Sequence, residues 1–254
     1  MSMSTKGLSM KSTFAIGLLL ASASLQAGEA AGPIRFPATA RVVLDGEGVP
    51  QQVDANPKLP GVVRQAIEAR VKQWRFEPAR VEGAPRPGVT HVKLQACAIP
   101  QADGSLRVGM DYESNGPGYA EDALRLPAPQ YPVQAARAGS EGRFQVLLRI
   151  ETDGRATLQS LKARRGRLKD FEDTLRQWVA SLRYLPEEVD GRPVATQMDI
   201  PVDFAFTHGN RERQRAEDAA TDARSPECVA AAGATESPVT PVVLDSPFKP
   251  LSTG

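Results

Sequence analysis

The chain has 254 residues, 41% of them hydrophobic and 24% charged, with a formal net charge of +1. That balance is ordinary for a globular protein. It excludes the electrostatic signature of a nucleic-acid binder, because Lys and Arg are scattered along the chain rather than gathered on one periodic face.

Lys6 and Lys11 precede the apolar run Phe14 to Leu20, and small residues follow down to Ala27. A positive region, an apolar core and a small-residue exit read as a secretory signal over residues 1–27. Leu25 is a poor residue three positions before such a cut, so an exit at Ala30 stays open. The run is short and rich in Ser and Ala, whereas a membrane span needs about 20 apolar residues. Short anchors and cleaved leaders nonetheless overlap in sequence, which leaves an uncleaved inner-membrane signal anchor as the alternative. The expected location is the periplasm, with membrane contact only if the leader is uncleaved.

Residues 28–100 read as a first module. Asp45-Gly46 marks a hairpin turn, and Val63, Ile67, Val71 and Trp74 form a helical stripe opened by Pro60. A strand carrying Val92 and Leu94 follows. Residues 101–126 are a connector in which Leu106, Val108 and Met110 alternate as an extra strand, before Asn115-Gly116-Pro117-Gly118 breaks the pattern.

The second module spans 127–207. Phe144, Val146, Leu148 and Ile150 alternate on one strand face, Thr152-Asp153-Gly154-Arg155 turns, and 156–163 returns as a weaker strand. Leu168, Phe171, Leu175, Trp178, Val179 and Leu182 recur at threes and fours, which predicts a helix ended by Pro186. After Asp190-Gly191, a last strand alternates Met198, Ile200, Val202, Phe204 and Phe206. Pro201 lies inside it and confines it to an edge or a bulge. A shift of 108 residues superposes 149–204 on 41–96 without a gap, with 11 of 56 positions identical. A fixed-period repeat reads as two copies of one unit. The expected fold class is therefore α+β: two tandem ββαβ modules, each a small antiparallel sheet covered by one helix.

Residues 208–254 are polar and Ala-rich and read as a disordered tail, although Val242 to Phe248 is apolar enough to dock as a short strand. Cys97 and Cys228 are the two cysteines. An oxidising compartment permits their pairing, and sequence alone also allows two separate thiols. No catalytic or metal-ligating constellation emerges. His91 reads as a solvent-facing strand residue, His208 lies in a polar exit, and Lys162 to Arg167 reads as a solvated loop. Trp74 and Trp178 lie on helix stripes and read as core. No cofactor is implied.

The order Pro129-Gln130-Tyr131-Pro132, Glu141-Gly142, an Asp-Gly hairpin, an apolar helix, Leu182-Arg183-Tyr184-Leu185-Pro186 and Pro201-Val202-Asp203-Phe204 resembles the TonB C-terminal domain family. The second module covers the whole pattern. The first matches the back half through Trp74-Arg75-Phe76-Glu77-Pro78 and lacks a Tyr-Pro segment. The resemblance implies a non-catalytic periplasmic domain that binds a protein partner, a TonB-dependent outer-membrane transporter, by adding the partner's extended segment beside its last strand. It implies an edge formed by Gln197, Met198, Asp199, Ile200, Val202 and Phe204, with Gln130 and Tyr131 nearby. Tyr131-Pro132 also reads as a helix-entry turn with a packed ring. The chain departs from a full energy transducer, which carries a membrane anchor, commonly with a functional histidine, and a long Pro-rich spacer. Here about ten residues separate leader and first strand, and at ~3.3–3.6 Å each they do not cross a periplasm. The resemblance thus points to an accessory of TonB-dependent transport. The alternative is a structural envelope protein whose modules pair with each other or self-associate and recognise no transporter.

Overall fold

In the computed structural model, residues 34–101, 103–206 and 242–253 are described; the leader, His208 and Cys228 lie outside them. The chain opens with β1 (Ile34–Leu44), β2 (Pro50–Ala55), α1 (Gly61–Val71), β3 (Arg75–Glu77), β4 (Ala79–Val81), β5 (Ala84–Arg86) and β6 (Gly88–Pro100). Then come β7 (Leu106–Gly116), β8 (Gly118–Tyr119), a 3-10 turn at Ala120–Asp122 and α2 (Val133–Arg137). Next are β9 (Gly142–Ile150), β10 (Ala156–Arg165), a 3-10 turn at Leu168–Asp170 and α3 (Glu172–Ser181). Four strands follow: β11 (Tyr184–Leu185), β12 (Glu187–Val189), β13 (Arg192–Val194) and β14 (Thr196–Phe204). Two more, β15 (Val242–Val243) and β16 (Lys249–Ser252), lie near the C-terminus.

The architecture is mixed α+β with antiparallel sheets. One sheet runs β13-β12-β6-β1-β2 with β7 also on β6; a second runs β10-β9-β14-β15. Short pairs join β11 to β8, β16 to β3 and β4 to β5. Each large sheet buries its apolar face against one helix. Val63, Ile67 and Val71 of α1 meet Ala40, Val42, Leu44, Val92 and Leu94, while Leu175, Trp178 and Val179 of α3 meet Phe144, Val146, Leu148, Ile200 and Val202. Trp74 and Trp178 are both buried. Pro60 is the residue capping α1, one place ahead of its first turn.

The predicted helix over 168–182 is split. Phe171 has φ −129°, outside the helical range, and separates the 3-10 turn from α3. Its ring lies 5.0 Å from Phe144 and 4.7 Å from Phe204, so aromatic packing overrides the helical spacing of its neighbours.

One other expectation changes. Strand β6 is buried on both faces from Gly88 to Leu94, and so His91 is buried rather than solvent-facing. Its alternation suggested one wet face, but β8 and distant segments cover that face. Within the stretch read as a disordered tail, residues 242–253 are docked, and the apolar run from Val242 that was open to docking supplies the short strand β15. Phe248 is fully buried in the core beneath α1, because the gap over Gly88 is shaped for it: a Cβ at Gly88 would fall 2.4 Å from the Phe248 ring.

Two turn glycines separate conformational strain from steric exclusion. Gly191 has φ +74° with open space around it, whereas Gly154 has φ +80° and a Cβ there would lie 2.2 Å from the Tyr184 carbonyl oxygen. Gly191→Ala should cost about 1–2 kcal/mol, the left-handed penalty alone. Gly154→Ala should cost clearly more, since it must also break the Tyr184 N–H bond to the Gly154 carbonyl (2.9 Å). Urea unfolding of the two variants checks the order.

Candidate functional site: the outer edge of β14

Strand β14 pairs with β9 in unbroken register from Thr196↔Ile150 to Phe204↔Gly142. On its other side Gln197 turns both backbone groups outward: its carbonyl accepts the Leu244 N–H (2.9 Å), and its N–H donates to Asp245 Oδ1 (2.6 Å). Backbone groups alternate in direction along an antiparallel strand, so those of Asp199, Pro201 and Asp203 also face this outer edge. Pro201 has no N–H to offer there, in keeping with its confinement to an edge.

The candidate residues therefore divide. Met198, Ile200, Val202 and Phe204 are buried; their side chains belong to the core under α3 and their backbone groups turn toward β9. Gln197 and Asp199 belong to the outer edge, together with Asp203 and with Pro201, the residue that confines the strand to an edge. On the solvent face Asp199 Oδ2 accepts from Gln145 Nε2 (2.6 Å), and Asp203 Oδ2 accepts from Arg143 Nη2 (2.8 Å).

The edge has two halves. Its first half is covered by β15, with Met198 opposite Val243 and Asp199 opposite Val242. The second half, Ile200 to Phe204, has no outer strand among the described residues. Tyr131 stands at that open end. Its ring stacks on Phe206 (5.0 Å) and meets Phe204 edge-on (5.4 Å), and its hydroxyl donates to the Ser140 carbonyl (2.6 Å). Pro132 caps α2, so Tyr131 is a packed ring at a helix entry and also borders the edge. Gln130 beside it is exposed.

Beneath the covered half lies a buried polar cluster that sequence reasoning missed. Glu187 is fully buried; its carboxylate accepts from the hydroxyls of Thr90 (2.6 Å), Ser246 (2.8 Å) and Thr196 (3.4 Å). Asn115 donates to the Phe248 carbonyl (2.9 Å) and to Ser246 Oγ (3.1 Å). Burial pushes the Glu187 carboxyl up, against the pull of the hydroxyls and Lys93. Lys93, buried on the face of β6 that also carries His91, donates to the Pro117 carbonyl (3.1 Å) and lies 5.1 Å from the Tyr119 ring centre; burial brings its pKa down to about 8. Cys97 is buried. Among the described residues no three His, Cys, Asp or Glu side chains gather as metal ligands, and no helix is long and apolar enough to cross a membrane.

With this geometry in place, the family match takes in β9, β10 and β14 of the second sheet, together with β11, β12 and β13. Residues 127–206, from the segment before α2 to just past β14, match the family model of the Gram-negative bacterial TonB protein C-terminal. Protein TonB of Pseudomonas aeruginosa is 40% identical over 75 residues, which is 29% of this chain and 21% of that protein. The chain thus spans about a fifth of the length of that relative.

His91 gives this region a titration. Burial first, then the charges of Lys93 and Arg41, lower its pKa from 6.5 to about 4, with a Gly116 backbone bond opposing. The folded chain refuses a proton that the unfolded chain accepts between those values, so stability should fall by ~3 kcal/mol as pH drops from 7.5 to 4. The His91→Gln variant should have a flatter acid limb, read from urea unfolding at several pH values.

Proposed function

We propose that this chain is an exported, non-catalytic envelope protein that binds an extended segment of a protein partner along the outer edge of β14, as an accessory of TonB-dependent outer-membrane transport. The observation that carries the reading is the coincidence of the TonB C-terminal match with a sheet whose last strand keeps an open outer half. An open edge offers backbone donors and acceptors to an added strand. Asp199 and Asp203 supply both groups and Pro201 a carbonyl alone. The buried side chains of Met198, Ile200, Val202 and Phe204 hold the strand flat, while Gln130 and Tyr131 border its far end.

We also propose that the chain carries two tandem copies of the same unit. In support, β4 and β12, and β5 and β13, lie 108 residues apart. The Phe76 N–H bonds the Gly48 carbonyl (3.0 Å) as the Tyr184 N–H bonds that of Gly154 (2.9 Å). In the first hairpin the offset is 106, since Leu44 opposite Pro50 answers Ile150 opposite Ala156. Gly48 rather than Gly46 therefore answers Gly154.

A second reading, a structural envelope protein with self-paired modules, draws on the pairing of Glu188 and Val189 of β12 with Val89 and Gly88 of β6. The final strands β6 and β14 do not pair with each other.

A photoreactive residue at position 201, followed by crosslinking in intact cells, separates the two. Capture of the N-terminal segment of an outer-membrane transporter is the expected result; capture of copies of this chain alone would sink the transporter role. We further propose that Cys97 pairs with Cys228, and non-reducing peptide mapping should recover the two cysteines in one linked fragment.

A further inference from the structure

The segment from Val242 to Ser252 crosses the molecule as a strap. At one end it adds to β14 through Val242 and Val243, and Asp245 takes the Gln197 N–H. Val243 also sits tightly over β7, where a Cβ at Gly116 would fall 2.5 Å from its side chain. In the middle Ser246 enters the Glu187 cluster, and Phe248 fills the core beneath α1. At the other end Lys249 and Pro250 pair with Glu77 and Phe76.

The anchoring is uneven. Phe248 is fully buried, whereas Val242 and Leu244 are 55% and 53% exposed and β15 is two residues long. The piece on β14 is thus held by few contacts next to a firm anchor. A strand that covered β14 from Gln197 to Asp203 would need the same backbone groups of Gln197 and Asp199 that residues 242–245 use. Both strands cannot be present at once.

We infer that the outer edge of β14 is one site with two alternative occupants: the chain's own residues 242–245, and an extended strand of a protein partner with matching chemistry. That partner strand runs antiparallel to β14, places an aliphatic β-branched residue opposite Met198, and carries a carboxylate two residues further on for the Gln197 N–H. The inference rests on the strand-addition reading and adds that the chain caps its own binding edge. A tethered segment competes in cis, so a free strand must overcome it before it binds.

The test uses the full chain, the variants Asp245→Ala and Val243→Asp, and a labelled synthetic peptide of the sequence of residues 240–247. Asp245 is exposed, so D245A removes the acceptor of the Gln197 N–H and leaves the core intact; Phe248 is kept in both variants. Amide exchange at Gln197 should be at least tenfold faster in D245A than in the unaltered chain. The peptide should bind both variants at least tenfold more tightly than the unaltered chain, and slow Gln197 exchange in D245A again. Unchanged Gln197 exchange in D245A, or equal peptide binding by all three chains, would overturn the inference, as would no binding by D245A. If position 201 captures a transporter while the peptide results fail, the capping idea falls and strand addition stands. If the peptide results hold and no transporter is captured, the transporter role falls and the capped edge stands.

Discussion

A single buried carboxylate ties the molecule together. Glu187 stands on β12, accepts hydroxyls from β6 and β14, and takes a third from Ser246 of the C-terminal segment. Four stretches of chain, from Thr90 of β6 to Ser246, therefore converge on two oxygen atoms. A buried carboxylate is costly unless its lone pairs are satisfied, and three hydroxyls with a nearby ammonium supply that satisfaction only when all four stretches are in place. An arrangement of the strands that left any of these groups unpaired would leave a buried carboxylate unsatisfied, so the cluster disfavours it.

From that constraint the rest follows outward. β12 is held against β6, so a hairpin of the second half completes the first sheet. Thr196 begins β14 at the cluster, which places the strand's outer edge beside the line taken by Ser246 and Phe248. The route of the C-terminal segment over Gln197 and Asp199 is in turn fixed by Phe248, whose burial sets the segment's position on the sheet.

Much of this was legible in the sequence where local pattern decides structure. The stripes of α1 and α3, the alternation of β14 and the edge placement of Pro201 depend on neighbours within one element. The Asp190-Gly191 turn is of the same kind, with positive φ at both residues. What escaped reading depends on partners far along the chain. His91 and Lys93 look like the wet face of a strand until β8 and its neighbours cover them. Phe171 looks helical until Phe144 and Phe204 claim its ring. The polar cluster left no local signal, because Glu187, Thr90 and Ser246 lie far apart in the chain and meet only through the fold. The candidate edge grouped all its residues on β14 together, whereas Met198, Ile200, Val202 and Phe204 turn their side chains into the core. Which side of a strand carries free backbone groups depends on register, and register here is visible only through Gln197 and its bonds.

Phe248 carries a consequence for how the chain matures. It completes a core otherwise built from residues 38 to 96, with Val189, although it lies far along the chain from most of them. A chain that emerges amino-end first must hold that core one aromatic ring short until residue 248 has been made. Contacts of such long separation form slowly, and the incomplete core exposes apolar surface meanwhile. The first sheet is thereby kept from setting early, and the arrival of one distant ring becomes the event that closes it.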